Sequence, residues 1–207
     1  LKEAEANYNH ALTLQPNYAE AYSNLGNTLQ ELGRLKEAEV MYMKAIELKP
    51  KFAEAHSNLA NTLQELGRLE EAEVIQRHAI ELKPEFAEAY TNLGNTLQRL
   101  GRLEDAVLNF NKSIVLKPHY CNFHNNKNHC LNYSSSWSPR FVYEEHCKFE
   151  KQFGGRKIRT PLNSENYKHS GNKLRIGYVS GDFKNHSVTY FFEPLLQHHN
   201  PNNVETF

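Results

Sequence analysis

Along the first 118 residues, apolar and small side chains return in one order every 34 positions. Pro16, Pro50, Pro84 and Pro118 mark the period, and each is followed two residues later by an aromatic: Tyr18, Phe52, Phe86 and Tyr120. Three complete units begin at Ala19, Ala53 and Ala87. Each reads A-E-A-[Y/H]-[S/T]-N-L-[G/A]-N-T-L, then L-G-R-L, then a second apolar run ending in L-K-P. Leu25, Leu29, Tyr42 and Ile46, with their counterparts 34 and 68 positions on, recur at the spacing of an apolar helix face, which predicts two helices per unit. Small residues fall where antiparallel helices must approach: Gly26, Ala60 and Gly94 in the first helix, and Ala38, Ala72 and Ala106, then Ala45, Ala79 and Ser113, in the second. Gly33, Gly67 and Gly101 are placed to end each first helix in a left-handed cap.

Leu1 to Gln15 carries Ala4, Tyr8, Ala11 and Leu14 in second-helix positions, so the array is expected to continue upstream. Beyond Tyr120 the pattern decays, and Lys127 stands where an apolar residue is expected beside Asn126. One more helix is expected to end near Tyr133. Ser138 followed by Pro139 signals another, with Val142, His146, Phe149 and Phe153 on the face that packs onto the last repeat and Gly154 and Gly155 stopping it. The expected organisation is therefore repeats over 1–133, a transition helix and linker over 134–172, and the start of a different domain over 173–207.

In that last part Leu174 to Val179 reads as a strand, Ser180 to His186 as the loop at its carboxyl end, and Ser187 to His199 as a helix bent at Pro194. Val204 to Phe207 reads as a second strand. This order opens a parallel α/β sheet, whose ligands sit at the carboxyl ends of strands, and so places Asp182 and His186 at an active edge. The glycines do not form G-x-G-x-x-G, so no dinucleotide site is expected.

The polar face of each first helix repeats as faithfully as the apolar one. Asn24, Asn58 and Asn92 hold one position, Asn27, Asn61 and Asn95 another three residues later, and Asn126 continues the first series. Residues three apart share a helix face, here the inner face of a superhelix. An amide offers donors and an acceptor that match a peptide group whatever its side chain, so this ladder suits extended polypeptides. The competing reading is local hydrogen bonding between neighbouring turns. A clamp for a terminal carboxylate is not expected, because Glu20, Glu54 and Glu88, with Ser23, Ser57 and Thr91, stand where its cations would be.

Charge changes the picture little. Lys+Arg and Asp+Glu are 24 each, with no basic stripe interleaved with aromatics, so no nucleic-acid partner is expected. No run approaches the length of a membrane span. Three cysteines without framework spacing suit a reducing compartment, cytoplasm or nucleus. His119, Cys121, His124, His129, Cys130, His146 and Cys147 lack recognised ligand spacing, and no metal is expected.

The repeats resemble the tetratricopeptide repeat. The junction resembles the tetratricopeptide-linked O-linked N-acetylglucosamine transferases and their SPINDLY-type relatives, through Leu131-Asn132-Tyr133, Ser138-Pro139, Glu145-His146, Arg175-Ile176-Gly177-Tyr178-Val179-Ser180, Asp182-Phe183, His186, Pro194-Leu195-Leu196 and His199-Asn200. The resemblance implies a mainly α chain: a solenoid followed by the first strand, loop and helix of one lobe of a two-lobed GT-B glycosyltransferase. It implies transfer of a sugar, N-acetylglucosamine from UDP-GlcNAc or fucose in some relatives, to Ser or Thr of proteins guided by the repeats, with no further cofactor. His186 then matches the family's candidate base, a role that suits a group titrating near neutrality; a loop-capping role is its alternative, as it is for Asp182. The family's nucleotide-sugar contacts lie mainly in the second lobe, so this chain alone is not expected to turn over. The alternative from a different class is a non-catalytic tetratricopeptide adaptor.

Overall fold

The computed structural model describes residues 1–154 and, beyond them, the backbone of the strands at 174–176 and 204–206. Among the described residues the helices are α1 (Lys2–Leu14), α2 (Ala19–Glu31), α3 (Leu35–Leu48), α4 (Ala53–Glu65), α5 (Leu69–Leu82), α6 (Ala87–Arg99), α7 (Leu103–Leu116), α8 (Cys121–Leu131) and α9 (Pro139–Phe153). The pairs α2/α3, α4/α5 and α6/α7 are the three 34-residue units, and α1 is a second helix without a first. Each second helix packs on the first helix of its own unit and on that of the next. Successive first helices also touch: α2 with α4, α4 with α6, α6 with α8. First helices therefore form the inner wall of the stack.

Each first helix starts with an acidic residue, Glu20, Glu54 or Glu88, in the turn where the helix dipole favours negative charge. Each ends at a glycine with positive φ, 73° at Gly33, 82° at Gly67 and 76° at Gly101. The next residue then donates back across the turn: Arg34 N to Leu29 O, Arg68 N to Leu63 O and Arg102 N to Leu97 O, all at 2.9 Å. The same arginines reach side chains in two directions, Arg34 to Glu5 and Glu37, Arg68 to Glu39 and Glu71, Arg102 to Glu73 and Asp105. These pairs are exposed and each contributes at most about 1 kcal/mol. Their repetition sets the register of each turn on the preceding second helix.

Helix pairing rests on matched sizes. Tyr42 and Phe110 are fully buried, and a Cβ added at Gly26 would lie 2.7 Å from the Tyr42 ring, while one at Gly94 would lie 2.6 Å from that of Phe110. The middle unit departs from the expected apolar series: the counterpart of Tyr42 is Gln76, fully buried, with Ala60 in place of glycine. Gln76 Nε2 donates to Ser57 Oγ at 2.9 Å and to Ala89 O at 3.1 Å. A flexible amide fills less volume than a ring, and the extra methyl of Ala60 takes up part of the difference.

In α1 Leu12 joins Tyr8 on the core of the first unit, because 8 and 12 lie one turn apart, while Leu14 is 75% exposed; at the other end one sequence expectation changes. In α9 Val142 packs on the last core cluster and the rings of Phe149 and Phe153 meet at 5.2 Å, tilted by 43°, but His146 is exposed. Its neighbour Glu145 is the buried residue, held by Lys127 and Lys148 at 2.5 Å each. Lys127, which breaks the apolar pattern, thus supplies the ion pair that joins α8 to α9. Ser138 caps α9 by accepting from Phe141 N at 3.2 Å, with Pro139 in the first turn.

Residues 156–207 form a second compact unit. Within it β1 (Leu174–Ile176) and β2 (Val204–Thr206) pair in parallel, Leu174 opposite Val204 and Ile176 opposite Thr206. Parallel neighbours cannot be joined by a tight hairpin turn. The expected loop at 180–186, helix at 187–199 and linker at 156–172 lie outside the described residues.

Candidate binding face of the repeats

On α2, Glu20, Asn24, Asn27 and Glu31 fall at i, i+4, i+7 and i+11, one stripe along a helix. On α4 the stripe is Glu54, Asn58, Asn61, Glu65; on α6 it is Glu88, Asn92, Asn95, Arg99; on α8 the ladder continues through Asn126 to His129. Hydrogen bonds run between these stripes, which shows that they lie side by side. Asn58 Nδ2 donates to Asn27 Oδ1 at 2.9 Å, Gln30 Nε2 to Glu65 Oε1 at 2.6 Å, and Gln98 Nε2 meets His129 Nδ1 at 3.3 Å.

The asparagines are not equivalent. Asn27 Oδ1 also accepts from Tyr42 Oη at 2.7 Å, so this amide presents its NH2 outward from a fixed acceptor. Burial, and then the carboxylates of Glu65 and Glu31, push the Tyr42 phenol upward, which keeps it a donor. Asn92 Nδ2 lies 3.4 Å from Ser57 Oγ, the hydroxyl that Gln76 also engages. For Asn24, Asn61, Asn95 and Asn126 no side-chain hydrogen bond is formed among the described residues. The local reading therefore holds for Asn27 and Asn58 and in part for Asn92, and the other four amides keep their full capacity to bond.

The lower rim is neutralised. Glu20 pairs with Lys49 at 2.7 Å, Glu54 with Lys83 at 2.5 Å and Glu88 with Lys117, and each ammonium also sits over an aromatic: Phe52 at 4.8 Å, Phe86 at 5.0 Å and Tyr120 at 5.1 Å. The hydrogen bonds from Lys49 and Lys83 hold Glu20 and Glu54 below the usual carboxylate range; at Glu88 burial opposes ionisation, and Lys117, its own backbone N–H and the charge of Lys83 together outweigh it. The 34-residue recurrence of Pro, aromatic and Glu carries this device, with Lys49, Lys83 and Lys117 directly before the prolines. Sequence reasoning passed over the lysines, and also over Gln30 and Gln98, whose side chains bridge the first helices; at Gln64, of the same series, the backbone carbonyl makes the bridge. Gln30 Oε1 lies 3.1 Å from Tyr42 Oη, whose one hydrogen it shares with the closer Asn27, and accepts from Thr62 Oγ1 at 3.3 Å; Gln64 O accepts from Arg99 at 2.5 Å.

His186 and Asp182 lie outside the described residues. No helix among the described residues is long and apolar enough to cross a membrane, and no group of three His, Cys, Asp or Glu side chains is arranged there to hold a metal ion.

Three family models, each described as a tetratricopeptide or TPR repeat, match residues 19–52 and 87–120, residues 41–74, and residues 1–33. Together they span more than half of the chain. A curated relative from Hordeum vulgare, a "Probable UDP-N-acetylglucosamine--peptide N-acetylglucosaminyltransferase SPINDLY", is 39% identical over 75 residues, which is 36% of this chain and 8% of the relative. The chain thus corresponds to a small part of that protein. Among solved structures, a Thermobaculum terrenum O-GlcNAc transferase mutant is 26% identical, with TM-score 0.65, over 91% of this chain and 36% of the other. YrrB, "a TPR protein with an unusual peptide-binding site", is 24% identical with TM-score 0.60, over 75% of this chain and 79% of its own; at that identity it shares the fold.

Proposed function

Because the chain belongs to the tetratricopeptide-repeat proteins, we propose that the inner face of α2, α4, α6 and α8 holds extended polypeptide, and that the chain is the acceptor-guiding part of a protein O-glycosyltransferase. The observation that carries the first part is the run of amides with free hydrogen-bonding groups, Asn24, Asn61, Asn95 and Asn126, set among amides fixed by Tyr42, Ser57 and one another. A peptide backbone laid across them exchanges its bonds to water for bonds to these amides, and the neighbouring amides of Asn27 and Asn58, already fixed, add contacts at little further cost in side-chain entropy.

The second part rests on the likeness to the SPINDLY relative and to the Thermobaculum terrenum transferase, together with the parallel pair β1/β2, whose first strand opens the sequence motif Arg175 to His186. In this reading the donor is a nucleotide sugar, UDP-GlcNAc in the first instance, bound mainly by sequence outside this chain. His186, ten residues after β1 along the chain, takes the proton from a Ser or Thr hydroxyl as the hydroxyl oxygen attacks the anomeric carbon, while the bond from that carbon to the diphosphate breaks and the nucleoside diphosphate leaves with the bonding electrons.

Two measurements test these parts separately. Extended peptides are titrated against the chain and against Asn61→Ala/Asn95→Ala; a severalfold loss of affinity is expected, and unchanged affinity overturns the groove. The longer protein containing this sequence is assayed for transfer from UDP-GlcNAc and from a fucose donor to those peptides. Loss of transfer in His186→Ala is expected. Peptide binding with no transfer from any donor turns the reading to an adaptor, and full activity of the variant removes His186 from the chemistry.

A further inference from the structure

The amide ladder is indifferent to peptide sequence, but the far end of each stripe is charged, and its charge changes sign along the stack. The equivalent positions are Glu31 on α2, Glu65 on α4 and Arg99 on α6, all exposed. The acids at the other end, Glu20, Glu54 and Glu88, are each matched by a lysine, so they leave little net charge. At the upper end no such lysine stands. Glu31 forms no ion pair among the described residues, Glu65 accepts only from the neutral amide of Gln30, and Arg99 spends one donor on the Gln64 carbonyl without pairing an acid. Glu31 lies one turn beyond Asn27 on α2, and Glu65 accepts from Gln30 of that helix, which places both on the same wall as Asn27.

We propose that this rim selects its polypeptide by charge: the groove takes an extended segment with basic residues against α2 and α4 and an acidic residue against α6. The proposal rests on the reading of the groove given above. Neighbouring helices in contact are about 8–10 Å apart and an extended chain advances about 3.3 Å per residue, so successive stripes meet residues about three apart. The pattern is Lys-x-x-Lys-x-x-Glu, or the same charges in reverse order if the chain runs the other way. A chain in the polyproline II form, with three residues per turn and a rise of about 3.1 Å, presents residues three apart to the same rim.

The test uses the whole chain and fluorescent peptides of neutral polar spacer carrying Lys-x-x-Lys-x-x-Glu, its reversed order, the charge-swapped counterpart of each, and no charge. At low salt the better matched peptide is expected to bind at least about fivefold tighter than its swapped counterpart, the size that three exposed pairs of a few tenths to 1 kcal/mol each can supply. Raising salt is expected to erase the preference and leave the uncharged peptide's affinity in place. In Glu31→Lys/Glu65→Lys/Arg99→Glu the preference is expected to invert; Arg99→Gln, a milder change, is expected to remove only the preference for the acidic residue. Equal affinities for matched and swapped peptides, or an unchanged preference in both variants, overturn the charge rule. Failure of the groove itself reads differently: the uncharged peptide then does not bind, or binds as well to Asn61→Ala/Asn95→Ala as to the parent chain.

Discussion

Substituting Gly94 by alanine sets two effects of opposite sign against each other. In a helix interior Ala is favoured over Gly by about 0.8–1 kcal/mol. The added Cβ, however, would stand 2.6, 2.8 and 2.9 Å from three atoms of the Phe110 ring, closer than carbon atoms approach, and the fully buried ring has no free space to enter. Overpacking of this kind costs about 1–3 kcal/mol, so Gly94→Ala is expected to destabilise the array by up to about 2 kcal/mol in spite of its helix propensity. Shortening the ring to leucine removes the atoms that clash. In a Phe110→Leu background the same Gly94→Ala change is expected to be neutral or stabilising by up to about 1 kcal/mol. The two sites are therefore coupled by about 1–3 kcal/mol, well above the 0.3–0.5 kcal/mol scatter of independent sites. Urea unfolding followed by helical circular dichroism on the four proteins of the cycle measures it, with midpoints compared because repeat arrays need not unfold in one step. If Gly94→Ala has one effect in both backgrounds, within about 0.5 kcal/mol, steric matching of small and large residues does not set helix approach here.

Gly67→Ala isolates the backbone: at φ 82° its Cβ would meet nothing within 4 Å, so the loss is expected to be the conformational cost alone, about 1–2 kcal/mol, and unchanged by any neighbouring truncation. His56 is buried at a position that holds Tyr22 and Tyr90 in the flanking units, and burial depresses its pKa, with His78 at 4.9 Å adding to the effect and the Pro50 carbonyl opposing it. A folded-state pKa below the unfolded one means protonation favours unfolding, so His56→Tyr is expected to stabilise more below pH 6 than at pH 8; a gain equal at both refutes it. At the α8/α9 joint burial works against ionised Glu145, but the hydrogen bonds from Lys127 and Lys148 prevail and hold its carboxyl below the usual range. Its contribution is present above the ordinary carboxylate pKa near 4.3 and is lost as pH falls through the lower folded value. The parent is therefore expected to lose stability in acid more steeply than Glu145→Gln, and parallel curves would refute this.

The repeat period, the helix boundaries and the glycine caps were legible because each follows from local rules: apolar spacing near 3.6 residues, a left-handed glycine, a proline after each second helix. The Ser138-Pro139 start of α9 was legible for the same reason. Lys127 was not. Read along the chain it is a lost apolar position, and only the approach of Glu145 from another helix gives it a partner. Gln76 was misread as part of an apolar series because periodicity assigns a position to the core without saying which chemistry fills it.

The candidate site divides in the same way. That Asn24, Asn27 and their counterparts share a face is a property of helix geometry and stands in the sequence. Which of them have free amides depends on Tyr42, Ser57 and the pairing of Asn27 with Asn58, partners 15 to 35 positions away along the chain that superhelical stacking brings alongside. Sequence alone thus determined where the helices lie and which face of each is polar, because both depend on neighbours within a few residues. Tertiary structure decided which polar groups are spent on the scaffold and which are left for a ligand, because hydrogen bonds and ion pairs depend on distance in space.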